Sequence, residues 1–154
     1  MKKTTVISAI SENFVTFETT YQCDELFEKL KAILIELSEK EEVGVVSTAM
    51  NLGIETLAAE ATLAVREQTG IMLECVIPFE EQAVAFSESE RDRYFGIIEK
   101  CDKETMLDKG EKEDSFKKCY EYLVDAADII LVGEMPEEAA ETVQNSGKKV
   151  IYLK

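Results

Sequence analysis

Apolar runs of strand length alternate with stretches of helical spacing along the whole chain, and this alternation limits the possible folds more than any other feature. Residues 4–10, "TTVISAI", are rich in β-branched side chains and bounded by polar ones, which predicts a strand. Residues 24–40 place apolar side chains at 26, 27, 30, 33, 34 and 37, a helical spacing, with Asp24 as the expected cap. "VGVVS" at 43–47 predicts a short buried strand, and the Ala-, Leu- and Glu-rich segment 53–68 a helix stopped by Gly70. Residues 71–77 predict a third strand, stopped by Pro78. Residues 80–101 are helical in composition, most clearly over 90–100. The charged segment 102–114 reads as loop, with room for a short strand near 105–107. A helix over 115–125 opened by Ser115, a strand in "ADIILV" at 127–132, a helix over 136–146 and a strand over 148–153 complete the pattern.

Strands that alternate with helices in this way form a parallel sheet, and the right-handed crossover rule turns it into a doubly wound sandwich. The fold class expected is therefore α/β and Rossmann-like: about five strands in the order 3-2-1-4-5, with helices on both faces. A chain of 154 residues fits one domain, here 1–154.

Composition narrows the function classes. The chain holds no histidine, and its four cysteines (Cys23, Cys75, Cys101 and Cys119) form no CxxC pair. A histidine base is excluded, no metal site is expected, and no cofactor is implied. Isolated cysteines of this kind read as small core residues. The net charge is −15 and no cluster of Lys and Arg stands out, so neither nucleic acid nor membrane is expected as a partner. No segment approaches the roughly 20 apolar residues of a membrane span, and the N-terminal apolar run is shorter than the roughly 7–15 residues of a signal sequence. A cytoplasmic location is expected.

In a doubly wound sheet the ligand crevice lies at the carboxyl ends of the strands, where the strand order reverses. Three loops are expected there: Ser8–Phe14, Ser47–Gly53 and Gly133–Pro136. The second lies in "TAMNLGIETLAAEA" at 48–61, a strand-to-helix turn of the kind that cradles an anion on main-chain N–H groups. The candidate ligand-binding residues are Ser8, Ser11, Thr48, Asn51, Gly53, Glu55, Pro78, Phe79, Gln82 and Gly133; Asn13 is a further donor in the first loop. Glu55 and Glu60 are the candidate acids or bases. Spaced five apart on a helix, they do not form a carboxylate pair. Phe79 is a candidate stacking platform. The third loop, "GEMPEEAAE", brings Glu134, Glu137 and Glu138 to a place where a phosphate would meet repulsion.

These segments resemble the SLOG superfamily and its YpsA-type branch. "TAMNLGIETLAAEA" is similar to the pattern "GMALG" with its following acidic and alanine positions, matched by Thr48, Met50, Leu52, Gly53, Glu55, Ala59 and Glu60. "VIPFEEQ" at 76–82, through Pro78, Phe79 and Gln82, resembles that branch's segment after the third strand. "RDRYFGIIEKCDK", "FKKCYEYLVDAADIILV" and "SGKKVIYL" resemble its later helices and strands, so the similarity covers nearly the whole chain. The resemblance implies the Rossmann-like fold and a nucleotide-like ligand. The chain departs from the pattern at four places: Ala49 stands for the first glycine, "SAIS" for a Gly- and Arg-containing first loop, Cys119–Tyr120 for an Arg–Asn pair, and "GEMPEEAAE" for a Gly-rich third loop. Glycine loss places a Cβ where backbone would meet ligand, and arginine loss removes bidentate recognition.

The reading that follows is a binding or sensor module for a small polar, nucleotide-derived ligand with an altered phosphate site. The alternatives are a nucleotide-processing hydrolase or glycosidase, and a ligand-free interaction module that uses the stripe Leu26, Leu30, Ile33 and Leu37 as a homodimer or partner surface. The same stripe is explained by packing on the sheet.

Overall fold

The computed structural model describes residues 5–12 and 20–153. Thr4, Asn13 and Phe14 lie outside the described residues, as does the side chain of Cys23. Among the described residues six strands and five helices alternate: β1 (Thr5–Ile10), α1 (Thr20–Lys40), β2 (Val43–Thr48), α2 (Ile54–Thr69), β3 (Met72–Ile77), α3 (Glu88–Lys100), β4 (Lys103–Met106), α4 (Ser115–Ala126), β5 (Ile129–Val132), α5 (Glu137–Ser146) and β6 (Lys149–Tyr152). All paired strands are parallel, in the order β4-β3-β2-β1-β5-β6.

The expectation of five strands is thus corrected to six. The added strand is β4, overlapping the short strand allowed for near 105–107; it pairs outside β3, and the five expected strands keep their relative order. An edge strand with one neighbour needs no apolar run, and β4 shows none: Lys103, Glu104 and Met106 are exposed. Its charge is what makes it read as loop.

Three element boundaries also move. Helix α1 begins at Thr20, so Asp24 lies within it and is not its cap. The segment 80–101 is helical only from Glu88, because Ser87 and Glu90 form a reciprocal capping box that starts α3 there. Helix α5 begins after Pro136, at Glu137.

Alternation along β1 shows how the layers form. Ile7 and Ala9 face α1 and α2, where they join Leu30, Leu34, Leu37, Leu57, Ala61 and Val65 in one core. Ile10 faces the other way, with Tyr120, Leu123, Val132 and Val143 beneath α4 and α5. A third cluster packs α3 on β3 through Cys75, Ile77, Tyr94 and Ile97. The stripe on α1 is taken up in this packing: Leu30 and Leu37 are buried, and Leu26 and Ile33 pack against the same core. Cys75 and Cys119 are buried free thiols, and burial pushes both well above the ordinary thiol range. Among the described residues no group of three metal-ligating side chains converges. Among them, too, no helix is long and apolar enough to cross a membrane.

One polar node sits within the sheet. Glu74 on β3 accepts hydrogen bonds from the hydroxyls of Ser47 on β2 (2.7 Å), Thr105 on β4 (2.7 Å) and Tyr122 on α4 (2.8 Å). Burial works against this carboxylate, but the three hydroxyls and Lys103 outweigh it and hold Glu74 below the usual carboxylate range. The node ties the edge strand to the central ones and to the helix above.

Candidate functional site

Strand order reverses between β1 and β5, and the loops after β1, β2 and β5 meet at their carboxyl ends. The turn from β2 into α2 is built from unusual backbone. Met50 holds φ 65°, a left-handed conformation rare for a non-glycine residue, and Gly53 holds φ 105° and ψ −132°. The two bends reverse the chain within five residues and bring the first turn of α2 back under the loop. A side chain at 53 would be strained whatever space it had. Gly53→Ala is expected to destabilise the protein by about 1–3 kcal/mol, a shift that urea denaturation measures directly.

That geometry puts Glu55 at the centre. Its side chain is 1% exposed, and its carboxylate is held from three elements. The main-chain N–H of Ser11, in the first loop, donates to Oε2 (3.0 Å). The N–H of Asn51, in the second, donates to Oε1 (3.1 Å). The hydroxyl of Tyr120, from α4, donates to Oε2 (2.8 Å). Burial pushes the Glu55 carboxyl up to about 7, and the hydrogen bonds from Ser11, Tyr120 and Asn51 counter part of that rise. Burial and the Glu55 charge together raise the Tyr120 phenol far above its ordinary value.

The network extends outward through amides. Asn51 Nδ2 donates to the Tyr120 oxygen (3.3 Å), and Gln82 Nε2 donates to Asn51 Oδ1 (3.1 Å) and to the Ala49 carbonyl (2.9 Å). Tyr94, on α3, donates to Gln82 Oε1 (2.9 Å). Thr48 donates to the main-chain carbonyl of Glu55 (3.3 Å). The third loop is laced to the first: the Glu134 N–H donates to Ser11 Oγ (3.1 Å), and the Glu12 N–H donates to the Glu134 carbonyl (2.9 Å). Gly133 lies so close to both that a Cβ there would stand 2.5 Å from Ile54 Cδ1 and 2.6 Å from Ser11 Oγ.

Of the ten candidate ligand-binding residues, the structure brings Ser11, Thr48, Asn51, Gly53, Glu55, Gln82 and Gly133 together in this one network. Ser8 faces away, donating to the Leu123 carbonyl of α4 (2.6 Å). Pro78 is buried after β3. Phe79 is buried edge-on against Phe116, with ring centroids 5.6 Å apart, so its ring packs in the interior instead of offering a stacking face. Glu60 stands apart from Glu55, paired with Arg93 in the groove between α2 and α3.

Two central residues, Tyr120 and Tyr94, are not among the sequence candidates. Each sits mid-helix with no local signal of a polar role; the departure at Cys119–Tyr120 was the one available hint. The structure also explains Ala49. Its side chain is fully buried with Ile10, Val76, Tyr120 and Val132, so its methyl fills the space that a glycine would leave.

The family model described as the YspA SLOG family matches residues 13–149. No curated protein matches the chain. Among solved structures, DNA processing protein A from Helicobacter pylori, described for its single-stranded DNA binding mode, superposes with a TM-score of 0.62 at 14% identity. The match covers 97% of this chain and 65% of that one, so the chain spans just under two thirds of its neighbour's length. At that identity the likeness is one of fold.

This neighbour corrects the expectation that nucleic acid is excluded as a partner, since a protein of the same fold binds single-stranded DNA. The physical reason is that net charge is a sum over the whole chain. It does not set the charge or hydrogen bonding of one surface, and strands can be held by stacked bases as well as by cations.

Proposed function

This chain belongs to the YpsA-type SLOG family, and from that premise we propose that it is a binding or sensor module for a nucleotide-derived ligand at the carboxyl ends of β1, β2 and β5. The observation that carries the reading is Glu55. A buried carboxyl held near neutrality by burial, and shared among two loops and α4, is an unusual investment for a fold that could fill the position with a leucine. The arrangement sets the loops in one geometry before any ligand arrives, which lowers the ordering cost of binding. A binding role fits better than hydrolysis, because among the described residues Glu55 has no carboxylate partner, and Ser11, Asn51 and Tyr120 all donate to it.

Thermal shift tests the reading directly. The panel comprises nucleosides, nucleotides, sugar phosphates and a short single-stranded oligodeoxynucleotide, the last because the structural neighbour binds such a strand. A ligand selective for the native state raises the Tm, by an amount that grows with concentration. Glu55→Gln is expected to reduce that shift. If no member of the panel moves the Tm, the reading is wrong.

A further inference from the structure

The loops that meet at the crevice use their own main-chain donors internally. The N–H of Ser11 and that of Asn51 go to the Glu55 carboxylate, that of Glu12 to the Glu134 carbonyl, that of Gly133 to the Ile10 carbonyl (3.0 Å), and that of Glu134 to Ser11 Oγ. Gly133, the glycine of the third loop, is backed by Ile54 and Ser11, so its close approach is spent on packing within the protein. Because Glu55 lies in the first turn of α2, its carboxylate already complements the positive end of that helix. A phosphate entering here would find these amides occupied by an anion that cannot leave. At the mouth, Glu12 and Glu134 are exposed, on the two loops that their main chains join; Glu137 and Glu138, in the first turn of α5, line the neighbouring groove between α4 and α5.

From these contacts we infer that the crevice recognises the uncharged part of its ligand, the base and sugar of a nucleoside, and gives no binding energy to phosphate. The inference rests on the binding role proposed above and specifies the ligand class for that site. It applies equally to a mononucleotide and to a strand, since a strand would be held at this crevice through base and sugar. Internal anions of this kind make a site selective by repulsion: like charges brought together without counter-charge cost affinity for the wrong ligand.

Matched series of nucleoside, 5′-monophosphate and 5′-triphosphate for each base test this by isothermal titration at pH 8.5 and low salt, where Glu55 is ionised and repulsion is least screened. The expected result is that successive phosphates leave Kd unchanged or raise it. A triphosphate that binds more tightly than its nucleoside overturns the inference while leaving the binding role intact. If no nucleoside or nucleotide binds, the binding role itself fails and takes the inference with it. A variant with Glu12→Gln and Glu134→Gln, whose exposed side chains stand at the mouth and whose main-chain bonds the substitutions keep, adds a second arm. It is expected to lower the triphosphate Kd severalfold with no change for the nucleoside. An equal response of both ligands would show that the acidic mouth does not discriminate by charge, and would overturn that part of the inference.

Discussion

Truncation of Tyr120 to alanine is expected to cost the protein about 3–5 kcal/mol of stability, the range for removing a large buried ring. Two effects add here. The ring is 1% exposed and packs with Ile10, Ala49, Leu123 and Val132, so its loss leaves a cavity between α4 and the sheet. Its hydroxyl donates to Glu55 (2.8 Å), and it also accepts from Asn51. Tyr120→Phe separates the two: it keeps the ring and removes only the hydroxyl, at an expected cost of about 1–3 kcal/mol for a buried acceptor left short of a donor. Urea denaturation of the two variants beside the wild type gives both numbers. If Tyr120→Phe proves as stable as the wild type, the hydroxyl does not hold the carboxylate, and the network loses its link to α4.

Acidification should stabilise the native state through Glu55, against the usual behaviour of carboxylates. The folded value is raised to about 7 from an ordinary value of 4.5, so between those limits the native state binds more protons than the unfolded chain. Stability contributed by this group therefore falls as pH rises through that window, by about 3 kcal/mol in all. Glu74 acts in the opposite sense but elsewhere. Its folded value is lowered, so its contribution is lost only as pH falls below the ordinary carboxylate range. The measurement is the difference in unfolding free energy between pH 5 and pH 8, in the wild type and in Glu55→Gln. The variant has no charge to titrate, so its pH slope should be smaller by that amount, while the contributions of all other groups cancel in the comparison. Parallel slopes for the two proteins would mean that Glu55 titrates in the fold as it does in the unfolded chain.

Much of the architecture was legible along the chain because each central strand and each helix carries its own periodicity. β5 is an unbroken apolar run, and Gly70 ends α2 in a left-handed conformation, φ 75°, with its N–H donating to the Arg66 carbonyl. β4 was not legible in the same way. An edge strand is specified by its neighbour β3 and by Thr105 reaching Glu74, neither of which is a local property. Its four residues carry little apolar alternation, so the sequence leaves room for a short strand near 105–107 but does not count it in the sheet, and the structure sets it at Lys103–Met106. The α3 start was readable in principle, since Ser87 and Glu90 have the spacing of a capping box, but the helical composition of the preceding residues masked it.

The sequence by itself determined the layered α/β fold and the loop from Thr48 to Glu55, because both depend on patterns within a few residues: alternation, glycine, and a carboxylate in the first turn of a helix. Only the tertiary structure decided what that loop is joined to. Ser11, Tyr120 and Gln82 lie 44, 65 and 27 positions from Glu55 in the sequence, and Gly133 lies 78 positions away; the parallel crossovers bring them to one point. Whether a carboxylate stays exposed or becomes a buried bridge between loops depends on what surrounds it from every side, and no stretch of sequence carries that information alone.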